Sequence, residues 1–242
     1  TPAASFEEYT LTLTDGEQSV NLQHLLIGEV WLCAGQSNMV MPLNGFDYCP
    51  ISDSNNVIAD APNHPGIRMV TIKPTVKLSP QEYAEGSWQQ PTTENAPKFS
   101  AAAYHYALTL QRTLQIPIGV ITCAWGGSRV EGWLPKEILQ TYKDEDLTLI
   151  GSDKTPVYLQ SMLMYNGILY PCHKYTIKGF IWYQGESNVR SSRTYAERLA
   201  TMVKHWRSIW KQGDLPFYYV ETVPFACEYK EDGYIGALLR EA

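Results

Sequence analysis

The sequence predicts an α/β fold, a parallel sheet covered on both faces by helices, with a β-hairpin ahead of it. Three observations carry this. "EVWLCAG", "IPIGVITCAW" and "KGFIWY" are continuous apolar runs rather than alternating ones, the pattern of strands buried on both faces. Stretches with apolar residues at helical spacing lie between such runs. Three of the runs end in polar or glycine-rich segments, "GQSN", "WGGS" and "QGESN", and open α/β sheets gather ligands outside the carboxyl ends of their strands.

In chain order, residues 9–14, "YTLTLT", alternate apolar and polar and lead through Asp15-Gly16 into a second run, which predicts a hairpin. A lone hairpin is marginal in water, so residues 1–26 read as the end of a β-domain lying upstream or as a hairpin packed on the main domain, and 27–242 as the main domain. "EVWLCAG" is its first strand, residues 52–61 a short helix, and "GIRMVTI" the second strand. Pro74, Pro80, Pro91 and Pro97 mark residues 73–98 as a long loop, a length that usually signals function. Phe99, Ala103, Tyr106, Ala107, Leu110 and Leu114 predict a helix over 99–115. "IPIGVITCAWGG" and "KGFIWYQGESN" supply the third and fourth strands. Tyr195, Leu199, Met202, Val203, Trp206, Ile209 and Trp210 mark a second long helix, and "LPFYYVETVPF" is the fifth strand. "YIGALLREA" is helix-like.

Composition narrows the function. The 242 residues are 44% hydrophobic and 18% charged, with a net charge of −6. That is the profile of a globular protein. It lacks the basic footprint that nucleic acid or an anionic membrane demands. No apolar run is long enough to span a membrane. The five cysteines, Cys33, Cys49, Cys123, Cys172 and Cys227, show no C-x-x-C spacing, so neither a zinc site nor a thioredoxin-type motif is indicated. Cys33 and Cys123 sit in apolar runs as buried thiols. Neither G-x-G-x-x-G nor the phosphate-binding G-x-x-x-x-G-K-[ST] occurs. Seven Trp and sixteen Tyr fill a core or offer faces for sugar stacking.

The three strand ends hold the candidate chemistry. A serine hydroxyl needs a base to accept its proton and donors to hold the developing oxyanion. Ser37 lies where a strand gives way to a helix start, with its own N–H available. The plainer reading is a helix cap. Gly126 and Gly127 let the backbone approach a ligand, or simply form a tight turn. Gln184 or Asn188 has an amide N–H to offer the same oxyanion. Glu186, an acceptor when ionised, suits a structural hydrogen bond or a sugar hydroxyl.

Taken together, "GEVWLCAGQSNM", "PIGVITCAWGGSRVEGWLP" and "KGFIWYQGESNV" resemble the sialate O-acetylesterase group of the SGNH (GDSL-like) hydrolases, over about residues 5 to 242. The resemblance implies a flavodoxin-like three-layer α/β/α fold and removal of acetyl esters from sugars without metal or cofactor. It also implies a secreted or periplasmic protein, often with an extra β-domain, which accounts for the hairpin. Ser37 matches the nucleophile and Gly127 the backbone oxyanion donor; Gln184 or Asn188 matches the side-chain donor, Gln184 standing nearer the strand end. Arg129, Glu131 and Trp133 follow the second motif and are expected to line the sugar site with Glu186. O-acetylated sialic acid carries a carboxylate, for which Arg129 is the expected cation and Lys98 a lesser one. Acetylated xylan is neutral and would use Trp125 and Trp133 as platforms. A carbohydrate-binding protein without turnover is the competing class.

The family's D-x-x-H segment, whose His is the base and whose Asp orients it, is absent. None of His24, His64, His105, His173 and His205 has Asp three residues before it. The base is therefore expected from a further segment of the protein or from another chain.

Overall fold

The computed structural model describes residues 3–224 and 234–242. β1 (Ser5–Thr14) and β2 (Ser19–Ile27) form a two-stranded antiparallel sheet. Its turn contains Gly16, and the Asp15 carboxylate accepts the N–H groups of Glu17 and Gln18. Phe6, Leu11, Leu13, Val20 and Leu22 of this hairpin are exposed.

The main sheet contains β3 (Glu29–Gly35), β4 (Ile67–Thr71), β5 (Ile118–Ala124), β6 (Gly179–Tyr183) and β7 (Phe217–Tyr219). Its order is β4-β5-β3-β6-β7, with every pairing parallel. Counted in chain order this is 2-3-1-4-5. The layering is flavodoxin-like, while flavodoxin's own order is 2-1-3-4-5. The first strand is central: the chain leaves β3 toward the β4 edge and leaves β6 toward the β7 edge. Their carboxyl ends thus flank a crevice of the kind that binds ligands in open sheets.

The buried runs work as expected because successive side chains alternate across the sheet. Leu32 and Ala34 of β3 join one core, with Phe180, Trp182, Trp206 and Trp210. Trp31 and Cys33 join the other, with Tyr104, Ala107 and Leu108. The second core is covered by α1 (Ser37–Val40), α2 (Ser54–Asp60) and α3 (Ala101–Leu114). Ser100 caps α3 by accepting the Ala103 N–H at 3.2 Å, a contact worth about 1 kcal/mol. The first core is closed by a short α4 (Lys136–Leu139), a π-helical turn at Tyr165–Leu169 and α5 (Ser192–Trp210). The chain ends in α6 (Ile235–Glu241), over "YIGALLREA".

Two expectations change. The long run "LPFYYVETVPF" yields only a three-residue strand, Phe217–Tyr219, with Phe225 outside the described residues. Residues 73–98 are a loop, but Gln89 forms a backbone bridge with Met69, which fixes part of it against the edge strand. Among the described residues Cys33, Cys49, Cys123 and Cys172 are free thiols, and burial pushes Cys33 up to about 12. Cys227 lies outside the described residues.

Candidate functional site

Ser37 stands just past the carboxyl end of the central strand. Gly35 has φ of +146°, and a Cβ there would lie 2.1 Å from the Tyr183 carbonyl oxygen. Only glycine lets β3 end so close to β6. Gln36 then anchors the turn: its N–H donates to the Tyr183 carbonyl at 3.0 Å. Its side-chain oxygen accepts the N–H groups of Gly185 and Ser187, each at 3.3 Å. Ser37 thereby opens α1 as its first residue. Among the described residues, neither the Ser37 hydroxyl nor its N–H has a hydrogen-bond partner.

The second strand end lies alongside. The Ser128 N–H donates to the Trp125 carbonyl at 3.2 Å, closing a tight turn with Gly127 at φ +77°, a conformation that favours glycine. A Cβ built on Gly126 would sit 3.8 Å from the Ser37 Cβ, so this turn and the serine are in van der Waals reach. The Gly127 N–H, like that of Ser37, has no partner among the described residues.

The third strand end braces both. Ser187 Oγ donates to the Gly127 carbonyl at 2.8 Å, and Asn38 Nδ2 donates to Glu186 Oε1 at 2.6 Å. Glu186 Oε2 is buried with no partner among the described residues. Burial raises the Glu186 carboxyl above its ordinary range, against the lowering effect of its hydrogen bonds, including that from Asn38.

The two amides expected to hold the oxyanion face elsewhere. Gln184 Nε2 donates to the Ser128 carbonyl at 3.0 Å and to Asn188 Oδ1 at 2.8 Å, while its oxygen accepts from the Tyr195 hydroxyl. Asn188 Oδ1 accepts the Val130 N–H, and its Nδ2 donates to the Glu131 carboxylate and to Ser191 Oγ. Both side chains are buried and occupied, so they lock the second loop to the third instead of pointing at a ligand.

Three of the expected sugar-site residues are corrected likewise. Glu131 is wholly buried and paired with Arg198 of α5. Trp133 is wholly buried, donating to Ser128 Oγ at 3.0 Å and standing edge-on to Trp182. Both belong to a 3-10 turn, Val130–Trp133, folded beneath the strand ends and covered by α5. Arg129 is less buried, but its guanidinium is engaged by both oxygens of Glu145, the Leu159 carbonyl and Ser161. It is a brace for the 145–161 segment. Of the expected site residues, Glu186 is bonded to Asn38 and the partly buried Trp125 donates its N–H to the Gly35 carbonyl, so both adjoin the segment that carries the serine.

Sequence reading missed two residues. Tyr158 lies over the Gly127 turn: a Cβ on Gly127 would meet its ring at 2.7 Å, and 40% of the residue is exposed. No motif marked it, because its segment is irregular. Arg198 forms the buried centre of an ionic cluster with Glu131 and Asp144. Its position between Tyr195 and Met202, on the buried stripe of an amphipathic helix, was a readable signal.

None of the five histidines hydrogen-bonds to Ser37. His24 meets Glu8, His64 meets Asp60, His173 meets the Tyr170 carbonyl and His205 meets the Tyr165 hydroxyl. His105 packs edge-on to Tyr104. Among the described residues no cluster of three or more His, Cys, Asp or Glu forms a metal site.

Comparison with known proteins bears on this arrangement. The family model described as "carbohydrate esterase, sialic acid-specific acetylesterase" matches residues 27–234. The sialate O-acetylesterases of Homo sapiens and Pongo abelii are each 27% identical over 204 residues, covering 81% of this chain and 38% of theirs. The crystal structure of a carbohydrate acetylesterase from Xanthomonas citri superposes with a TM-score of 0.86 at 30% identity, over 99% of this chain and 51% of that one. The chain thus spans under half the length of those curated relatives and about half of the solved one.

Proposed function

Since this chain belongs to the family of sialic acid-specific carbohydrate acetylesterases, we propose that it carries the nucleophile and backbone oxyanion donors of an esterase that removes O-acetyl groups from sugars. One observation supports this above the others. Ser37 Oγ, the Ser37 N–H and the Gly127 N–H all lack partners among the described residues, while the side chains of Gln184, Ser187 and Asn188 at the third strand end are engaged. A helix-capping serine would have used its hydroxyl on the backbone.

In the proposed reaction Ser37 Oγ attacks the acetyl carbonyl carbon and its proton passes to an imidazole base. The carbonyl oxygen becomes an oxyanion, held in this reading by the Ser37 and Gly127 N–H groups, backbone donors of the kind that stabilise developing charge. Collapse breaks the ester C–O bond, and the sugar oxygen leaves with the proton held by the base. Water, deprotonated by the same base, then releases acetate from the acetyl-serine. The base is a histidine from outside residues 1–242, supplied by a further segment of the protein or by another chain. A secreted or periplasmic setting, where acetylated glycans are met, fits this role.

O-acetylated sialic acid is the substrate the family name favours. The geometry of Arg129 favours a second reading, a neutral acetylated sugar such as that of acetylxylan. The cation expected to meet a sialate carboxylate is already neutralised by Glu145, and Tyr158, lying against Gly127, offers a 40% exposed aromatic face. Acetate release by the full-length protein from 9-O-acetylated sialic acid and from acetylxylan, each with Ser37→Ala as control, tests the proposal. Turnover lost in Ser37→Ala supports it, and the preferred substrate decides between the readings. Sugar binding without acetate release from either substrate would favour a non-catalytic binding protein.

A further inference from the structure

At the opposite end of the sheet from Ser37 lies a second cleft, of about 420 Å³, within the ~300–1,000 Å³ range of small-molecule sites. It opens where β3 and β5 begin, beside the base of β2. Trp88 and Tyr175 line it with ring centroids 5.8 Å apart and planes inclined at 41°. Trp88 is 38% exposed in a protein that buries most of its tryptophans, and Tyr175 beside it is 46% exposed.

The cleft is built, not incidental. The paired backbone bonds between Gln89 and Met69, at 2.8 and 2.9 Å, hold the flanking Trp88 and Gln90 in place. The Trp88 ring rests over the backbone of β5 at Gly119, where an added Cβ would approach it to 3.3 Å. The side-chain amides of Gln23 and Gln90, the Trp88 indole N–H and the Tyr175 hydroxyl have no hydrogen-bond partner among the described residues. The charged groups are already matched: Glu29 pairs with Lys178 and Arg68 with Glu8.

Two aromatic faces, planar amides and hydroxyl or indole donors, with no uncompensated charge, form a surface complementary to a pyranose ring. Its apolar C–H face packs on aromatics while its hydroxyls exchange hydrogen bonds with amides. We propose that this cleft is a second carbohydrate-binding site, for a neutral oligosaccharide, separate from the esterase crevice. On a polymeric substrate it would raise the effective concentration of acetyl groups near Ser37. The assignment rests on the cleft itself and stands independently of the catalytic reading.

The test is titration calorimetry of the full-length protein carrying Ser37→Ala with xylotetraose and with N-acetyllactosamine. The further variants Trp88→Ala and Trp88→Phe are compared by melting temperature to verify folding. The expected result is saturable binding of at least one sugar, weakened about tenfold or more by Trp88→Ala and largely kept by Trp88→Phe. No binding of either sugar, or equal binding by Trp88→Ala, would overturn the proposal. Turnover of 4-nitrophenyl acetate by Trp88→Ala with Ser37 intact is expected to match the parent. Failure of both proteins to turn over this ester would count against Ser37 and leave the cleft to be judged by the calorimetry.

Discussion

The Ser187 hydroxyl donates to the Gly127 carbonyl at 2.8 Å, fastening the third strand end to the turn that presents the proposed oxyanion N–H. The bond holds the carbonyl of the 127–128 peptide and so steadies Gly127, whose N–H, in the preceding 126–127 peptide, is the proposed donor. Ser187→Ala is expected to lower kcat about three- to tenfold, the worth of one hydrogen bond of ~0.5–1.5 kcal/mol, with KM little changed. Steady-state kinetics of the full-length enzyme checks this, and a KM effect alone would point instead to sugar contact.

Gly127 itself tolerates no side chain. Its φ of +77° and the Tyr158 ring 2.7 Å from a would-be Cβ mean that Gly127→Ala must shift the turn or the ring. Loss of one oxyanion donor costs about 10²–10³ in kcat, and a fall of about 10² is expected here. Tyr158→Ala, which only removes the ring, should change KM for sugar esters more than for 4-nitrophenyl acetate.

Glu186 gives the chain a pH signature. Burial raises its carboxyl, so its folded-state pKa lies above its unfolded one. Its contribution to stability is fully present below the unfolded pKa and is lost as pH rises through the folded pKa. Glu186→Gln keeps the acceptor for Asn38 and removes the charge. The variant is expected to melt higher than the parent at pH 7, with the gap closing near pH 4. An unchanged gap across that range would contradict the assignment.

The ionic cluster beneath the strand ends has a sharper cost. Arg198→Met leaves the Glu131 carboxylate buried without its main partner, a defect worth about 3–5 kcal/mol. Urea unfolding should show that loss, and Glu131→Leu added to Arg198→Met should recover part of it. Arg129→Ala is expected to lower stability without altering the ratio of activity on acidic and neutral acetylated sugars.

The strands and long helices were legible because burial on both faces and helical periodicity are local signals. "EVWLCAG" and the stripe from Tyr195 to Trp210 announce themselves. The serine and the glycine turn were legible because they stand at strand ends. The roles of Gln184, Asn188, Arg129, Glu131 and Trp133 were not. Each is decided by which loop folds over which, and a polar residue near a site looks the same whether it faces ligand or braces a neighbour. Tyr158 was hidden for a related reason: it reaches Gly127 from 31 positions away through an irregular segment that periodicity does not describe.

None of the five histidines bonds to Ser37, so residues 1–242 alone are expected to hydrolyse 4-nitrophenyl acetate at about 10⁻⁴ of the full-length rate or less, the scale of losing a triad member. The most direct measurement is made on the full-length protein: peptide mass spectrometry after treatment with a fluorophosphonate, with Ser37→Ala alongside. The account requires a single adduct on the peptide containing Ser37, absent in the variant, together with loss of esterase activity. An adduct on another serine, or full activity in Ser37→Ala, would contradict it.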